Sequence, residues 1–141
     1  MVFEITTHSE KETIAWTNEL GAKAEPGTIF ALYGELGTGK TIIAKGIAKG
    51  LEINEDITSP TFLMLEIYNG RLPLYHFDLY RLDKIEELDE LNFEEYWEGD
   101  GVSVIEWAEK AGNRIPLGAI KINIESLNAF ERKIKIEYPG N

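Results

Sequence analysis

Residues 34–41 read GELGTGKT and match the pattern G-x-x-x-x-G-K-S/T, whose fixed positions are Gly34, Gly39, Lys40 and Thr41. An apolar run, TIFALY at 28–33, precedes this stretch, and an amphipathic run, TIIAKGIAKG at 41–50, follows it. A strand that enters a glycine-rich loop and a helix that leaves it produce a nest of backbone N–H groups for a polyphosphate. The stretch therefore predicts a P-loop, in which Lys40 contacts phosphates and the Thr41 hydroxyl binds Mg²⁺.

The rest of the chain alternates strand and helix patterns, which indicates an α/β fold. The signals used are a Ser9-x-x-Glu12 capping box, an Asn69-Gly70 hairpin turn and two alternating strands near the C-terminus. The predicted elements are a strand at 3–6, a helix to about Ala24, a strand at 28–33, a helix at 41–49, a hairpin at 62–78, an acidic helical stretch, a strand at 102–107 and strands at 119–125 and 131–138. We expect one P-loop NTPase-like domain over 1–141, three-layered, with a mixed, partly parallel sheet and a C-terminal β-hairpin at or near a sheet edge.

Three packing expectations follow from residue spacing. In the first helix every fourth residue is apolar, at Trp16, Leu20 and Ala24, and these should face the core. In the second helix Ile43 and Ile47 share one stripe, and Gly50 is a candidate residue just beyond the helix end. The apolar run at 102–107 should be a central strand beside 28–33, which should itself be buried on both faces.

Composition limits the chemistry. The 141 residues suit one domain, and neither a signal peptide nor an 18-residue apolar stretch is present, so we expect a cytoplasmic protein without a membrane association. There is no cysteine, and the two histidines, His8 and His76, are too few for a structural zinc site. Any metal must therefore be held by oxygen ligands.

The charge is strongly acidic, with a formal net charge of −11. Residues 83–100 contain nine acidic side chains and one basic side chain, Lys84. Such a surface repels phosphate backbones, so we expect no strong direct binding of nucleic acid. The acidic stretch is either a solvated helix face or a docking surface for a basic partner, and the two are compatible.

A P-loop needs a nearby acid to complete the Mg²⁺ shell, directly or through water, and two acids end predicted strands. Asp78 ends LYHFD and Glu106 ends VSVIE. Residue identity does not decide which acid ligates Mg²⁺ and which orients water, and either one alone is also consistent with a surface carboxylate. His76 supports the site or is a structural histidine, and Trp107 closes the site or is a core aromatic.

The segment TSPTF at 58–62 lies after the P-loop helix, with Pro60 fixing the backbone before a strand. This position suits a loop that presents a hydroxyl to the γ-phosphate or to Mg²⁺. An ordinary turn at the entry to a strand is the alternative.

Four segments, GELGTGKT, SPTF, YHFDLYRL and VIEW, resemble in order and spacing the TsaE (YjeE) family of small P-loop ATPases. The similarity spans about residues 4–125, and HFDLYRL with VIEW is more specific than the P-loop. The resemblance implies a bacterial, Mg²⁺-dependent ATPase required for threonylcarbamoyl modification of the tRNA adenosine next to the anticodon. It also implies that the protein acts on a complex of TsaD and TsaB and does not perform the transfer itself.

The resemblance also implies residue roles. It assigns ATP binding to Gly34, Glu35, Leu36, Gly37, Thr38, Gly39, Lys40, Thr41, Thr61 and Trp107. It implies catalytic roles for Lys40, Asp78 and Glu106, and metal binding by Thr41, Glu106 and Asp78. None of the four arginines is an evident arginine finger, so we expect slow hydrolysis by the chain alone and faster turnover with the partner.

Two other classes of function remain open from sequence. A P-loop small-molecule kinase has a similar size but usually needs an arginine-bearing lid, and no such segment stands out. A non-catalytic nucleotide switch would regulate a partner through binding alone. The N-K-x-D segment expected for guanine specificity is absent, which favours ATP.

Overall fold

The computed structural model describes residues 1–35, 37–60 and 64–140. Within these residues the chain forms one mixed sheet with helices on both faces, as predicted. The strands are β1 Val2–Thr7, β2 Ile29–Tyr33, β3 Leu65–Tyr68, β4 Leu74–Asp78, β5 Val102–Glu106, β6 Ile120–Ser126 and β7 Arg132–Glu137. The helices are α1 Glu10–Lys23, α2 Lys40–Gly50, α3 Glu87–Glu90 and α4 Phe93–Trp97, followed by 3₁₀ turns over Ala108–Arg114.

The strand order is β1-β7-β6-β2-β5-β4-β3. The four central strands, β6, β2, β5 and β4, are parallel, and antiparallel pairs flank them on both sides. The two predicted hairpins, β3-β4 and β6-β7, are therefore confirmed, and they make the sheet mixed; residues 62–63 at the predicted start of the first hairpin lie outside the described residues. β1 pairs with β7 and takes the edge position, so the C-terminal hairpin lies just inside the edge.

Two apolar clusters lie on opposite faces of the sheet, one under α1 and α2 and the other under α3, α4 and the 3₁₀ turns. β2 contributes to both, because Phe30 and Leu32 face the first cluster while Ile29 and Ala31 face the second. β2 pairs in parallel with β5, as expected of a central pair. The P-loop consequently leaves from a central strand that contacts both apolar clusters.

The expected stripe of α1 faces the core, because Ala24 is buried in the first apolar cluster and Trp16 and Leu20 pack against it, partly buried. A second set of buried residues was not expected: Thr17 and Gly21 are buried against α2. The reason is close helix packing, since a Cβ added at Gly50 would lie 2.1 Å from the carbonyl oxygen of Asn18. Small residues and threonines therefore form the α1-α2 interface. The spacing of apolar residues in the sequence does not reveal such an interface.

The expectation that Ile43 and Ile47 share a buried stripe of α2 is confirmed, but Gly50 is not the residue beyond the helix end. Gly50 is the last helical residue, and Glu52 has the left-handed φ of 61°. Hydrogen bonds from the N–H of Ile53 to the Ala48 carbonyl and from Glu52 N–H to the Lys49 carbonyl complete a Schellman motif. Gly50 is needed for helix contact instead of chain reversal.

The acidic stretch forms two short helices, α3 and α4, separated by Asn92 with a φ of 55°. Leu88, Phe93 and Trp97 are buried beneath them, while Leu91 is 40% exposed. Most of the acidic side chains of 83–100 face solvent. Among the helices of the described ranges, none is long and apolar enough to cross a membrane.

Candidate functional site

The loop between β2 and α2 has the backbone of a phosphate-binding loop. Gly39 is the N-cap of α2 with a φ of 105°, a left-handed conformation that favours glycine. A Cβ on Gly34 would lie 2.8 Å from the Ile124 carbonyl oxygen, because the loop runs close to β6. The N-terminus of an 11-residue helix thus opens at the end of a central strand, which is the arrangement that binds phosphate.

Lys40 occupies the mouth of this loop and is only 5% exposed. Its Nζ donates to the carbonyl oxygens of Gly34 and Glu35, the latter at 2.8 Å, and lies 3.9 Å from the centroid of the Trp107 ring. Burial lowers the pKa of Lys40, and the negative charges of Glu109 and Glu106 oppose that effect. The Lys40 ammonium group is therefore hydrogen-bonded to carbonyl oxygens of the loop itself. Phosphate oxygens could replace these carbonyls as its acceptors.

Thr41 and Glu106 lie in direct contact. The Thr41 hydroxyl donates to both carboxylate oxygens of Glu106, at 3.0 and 3.1 Å. The Thr41 hydroxyl is also 2.9 Å from the Ser59 hydroxyl. On the other side, His76 Nε2 lies 2.6 Å from Oε2 of Glu106. A hydroxyl and a carboxylate thus meet beside the phosphate loop, and both are oxygen ligands that Mg²⁺ accepts.

Asp78 lies on the neighbouring strand in register with Glu106. Its Oδ1 accepts the backbone N–H of Tyr80 at 3.0 Å. The pKa of Asp78 is raised, mainly by burial and further by the charge of Glu106, while the Tyr80 hydrogen bond opposes the shift. Asp78 lines a cavity of about 310 Å³ that also contains Lys40, Thr41, Ser59, Glu106 and Trp107.

Trp107 contacts both the core and the site. It packs partly buried against the second apolar cluster, and its ring also lies over Lys40 on the site side. Tyr80 lies 4.9 Å from it, between ring centroids. The φ of Trp107 is 59°, a backbone conformation that is uncommon for a bulky residue and frequent at functional sites.

The remaining positions of the hypothesis divide into two groups. Gly37 and Gly39 line the 310 Å³ cavity, and the buried Thr38 closes the loop by donating its hydroxyl to the Glu35 carbonyl at 2.8 Å. Leu36 and Thr61 lie outside the described residues. Ser59, which belongs to the same segment as Thr61, lies with its hydroxyl 2.9 Å from that of Thr41.

Arg132 was missed by the sequence reasoning. Its Nε donates to the carbonyl oxygen of Thr38 at 2.8 Å, so β7 supports the P-loop from the side. Arg132 also lines a second cavity of about 390 Å³ next to the loop, together with Ser9, Thr13, Gly39 and Phe130. No motif marks this position, and only the pairing of β6 beside β2 brings the C-terminal hairpin to the loop.

The fold and the site together define a P-loop nucleotide-binding protein of the α/β class. Comparison with known proteins narrows this class. The family model "Threonylcarbamoyl adenosine biosynthesis protein TsaE" matches residues 7–134, so the chain belongs to the TsaE family, whose role is in the biosynthesis of tRNA threonylcarbamoyladenosine.

Individual relatives agree with this family assignment. The TsaE protein of Treponema pallidum is 40% identical over 130 residues, which cover 92% of this chain and 96% of that protein. The TsaE protein of Bacillus subtilis is 40% identical over 136 residues, with coverages of 96% and 85%. The crystal structure of Bacillus subtilis YdiB superposes with a TM-score of 0.81 at 37% identity, covering all of this chain and 88% of that one.

Proposed function

We propose that this protein binds ATP with Mg²⁺ and hydrolyses it, and that hydrolysis acts on a complex of TsaD and TsaB homologues during tRNA threonylcarbamoyladenosine biosynthesis. The observation that carries the proposal is the convergence of Lys40, Thr41, Asp78 and Glu106 on one cavity at the end of the P-loop. A lysine, a hydroxyl and two acids are the side chains that phosphoryl transfer to water requires.

The two neighbouring cavities suit the two halves of a nucleotide. The 310 Å³ cavity is lined by the side chains proposed to act in hydrolysis. In this proposal it receives the β- and γ-phosphates. The 390 Å³ cavity on the other side of Gly39 combines apolar walls, including Phe130, with the polar groups of Ser9 and Arg132. A mixed pocket of this kind accommodates a base and a ribose.

The donor set fits Mg²⁺. Thr41 and Glu106 are the residues that would hold it, and phosphate oxygens and water would complete the shell, because Mg²⁺ seldom uses an all-protein cage. In the described ranges no group of three His, Cys, Asp or Glu side chains is placed to hold a metal ion. When bound, Mg²⁺ would neutralise negative charge that develops on the phosphates.

The two acids receive different roles in this proposal. Glu106 is bonded to Thr41 and is therefore the metal-side acid. Asp78 touches the backbone N–H of Tyr80 and has a raised pKa, so its carboxylate accepts a proton more readily than an exposed one. We assign Asp78 to orienting the attacking water and Lys40 to stabilising negative charge on the phosphates.

Partner dependence follows from the charge balance of the cavity. Among the described residues that line it, Lys40 is the basic side chain, and it faces two carboxylates. A partner that supplies a further cation or excludes water would lower the barrier, as arginine fingers do in other P-loop proteins.

The test is ATP hydrolysis with and without the TsaD and TsaB homologues, for the wild type, Lys40→Ala, Asp78→Asn and Glu106→Ala. Lys49→Ala, at an exposed position of the same helix as Lys40, is the control for loss of a positive charge. We expect partner-stimulated phosphate release that Lys49→Ala retains and the three site variants lose. A high basal rate that the partner leaves unchanged contradicts the proposal.

The same preparations separate the other two classes of function. Formation of a phosphorylated small product instead of free phosphate indicates a kinase. A Glu106→Ala protein that binds ATP, does not hydrolyse it and still supports the tRNA modification indicates a nucleotide switch.

A further inference from the structure

His76 lies directly behind the acid on which the proposed metal site depends. It is on β4, fully buried, and its Nε2 is 2.6 Å from Oε2 of Glu106. Glu106 is itself only 3% exposed. A carboxylate at this depth needs hydrogen-bond donors, since desolvation of an unpaired charge is unfavourable.

The contacts decide which nitrogen of His76 carries the shared hydrogen. Both oxygens of Glu106 accept from the Thr41 hydroxyl, so the carboxylate behaves as an acceptor towards its neighbours. His76 Nε2 is then the donor in the 2.6 Å contact. His76 Nδ1 is buried and has no hydrogen-bond partner among the described residues, so a hydrogen placed there would be unsatisfied.

We infer that His76 is a positioning residue, which donates from Nε2 to Glu106 and fixes the plane of that carboxylate towards Thr41 and the metal position. The inference rests on the proposed function. Without the imidazole donor, the Glu106 side chain loses a partner on the protein side and is free to rotate about its terminal torsion. Outer-shell partners of this kind typically change metal affinity by about 10- to 100-fold when removed.

The first experiment measures the Mg²⁺ affinity of the complex with a non-hydrolysable ATP analogue in three variants. His76→Gln can place an amide N–H near the position of Nε2, whereas His76→Asn is one methylene shorter and His76→Leu has no donor. We expect a loss of about 10- to 100-fold for His76→Leu and His76→Asn, with most of the affinity restored in His76→Gln. Affinity for the analogue without Mg²⁺ should stay close to that of the wild type in all three.

The second experiment needs neither metal nor nucleotide. Long-range ¹H-¹⁵N NMR of the wild type should show a hydrogen on Nε2 of His76, and Glu106→Gln should shift that signal. The chain has one other histidine, His8, which is exposed and bonded to Glu131, so His8→Gln assigns the spectrum and serves as the control with unchanged Mg²⁺ affinity.

The outcomes separate this inference from the proposed function. If the affinity of the wild type for the analogue does not depend on Mg²⁺, the proposed function is contradicted, and the role of His76 is contradicted with it. If the wild type does depend on Mg²⁺, then an unchanged Mg²⁺ affinity in His76→Leu, or a hydrogen on Nδ1 alone in the NMR spectrum, overturns the inference while the proposed function stands.

Discussion

Gly50→Ala tests whether close contact between α1 and α2 sets the stability of the layer that carries the P-loop. A Cβ at this position would lie 2.1 Å from the Asn18 carbonyl oxygen, 2.5 Å from the backbone nitrogen of Ala22 and 2.7 Å from Cα of Gly21. All three are backbone atoms, so no side chain can rotate away. The two helices must separate, or α1 must shift along α2.

Two effects of opposite sign determine the magnitude. Replacing glycine by alanine in a helix interior stabilises by about 1 kcal/mol, and by less at Gly50 because it is the last helical residue. Overpacking a well-packed interface costs about 1–3 kcal/mol. The steric effect therefore dominates, with a net loss of about 1–2 kcal/mol. For a domain of this size that loss corresponds to a decrease in Tm of about 3–8 °C.

The assay is urea and thermal unfolding followed by circular dichroism, with Gly118→Ala as the matched control. A Cβ at Gly118 would meet nothing within 4 Å, and its φ is not in the left-handed region. We expect the control to be unchanged or slightly more stable. A Gly50→Ala protein that equals or exceeds the wild type in stability would falsify the account of the α1-α2 contact.

Three further predictions concern single side chains. Arg71→Ala should lower the free energy of unfolding by about 1 kcal/mol, because the guanidinium donates to three carbonyl oxygens at the end of α1, those of Gly21, Ala22 and Ala24. Urea unfolding measures this loss, and an unchanged midpoint contradicts the prediction. Asp78→Asn should be more stable than the wild type at neutral pH without nucleotide. The raised pKa of Asp78 means that the folded state binds more protons than the unfolded state, so this side chain's contribution to stability falls as pH rises above its ordinary value of 3.8. Unfolding at several pH values should show the advantage of Asp78→Asn shrinking towards acid, and an advantage that does not change with pH refutes the assignment. ATP should change the fluorescence of Trp107, because Lys40 must leave the face of its ring to meet phosphate. Trp107→Phe should abolish the change and Trp16→Phe should preserve it, and the opposite pattern excludes Trp107 as the reporter.

Lys40 also indicates what nucleotide binding requires of the loop. Its Nζ donates to two carbonyl oxygens of the loop and lies over the Trp107 ring. Phosphate must replace these contacts, so the gain on binding is the difference between two sets of hydrogen bonds rather than a full new set.

The segments whose structure depends on local chemistry were predictable from sequence. GELGTGKT identified the P-loop because glycine conformations, a helix N-terminus and a lysine act within eight consecutive residues. Asn69 and Gly70 indicated the β3-β4 hairpin for the same kind of reason, although its strands, which end at Tyr68 and resume at Leu74, leave a longer loop than the two-residue turn. The apolar run at β5 predicted a central strand, and Glu106 at its end was predicted to be an acid of the site.

Features that depend on contact between distant segments were not predictable. Thr17 was not recognised as a buried residue, because it is buried by the approach of α2, where a Cβ added at Gly46 would lie 1.6 Å from its hydroxyl oxygen. Arg132 carries no local signal for contact with the P-loop. The separate environments of Asp78 and Glu106 likewise depend on which atoms the other strands and loops bring to each carboxylate.

By itself, then, the sequence determined that this chain has a phosphate-binding loop, two strand-end acids and a mixed α/β sheet, since each of these features depends on residues that are close together along the chain. Only the tertiary structure decided that Glu106 faces Thr41 and His76, that Asp78 faces the Tyr80 backbone, and that the C-terminal hairpin supports the P-loop through Arg132. The physical reason is that hydrogen bonding and burial act over a few ångströms in space, and the parallel pairing of β4, β5, β2 and β6 brings those residues together.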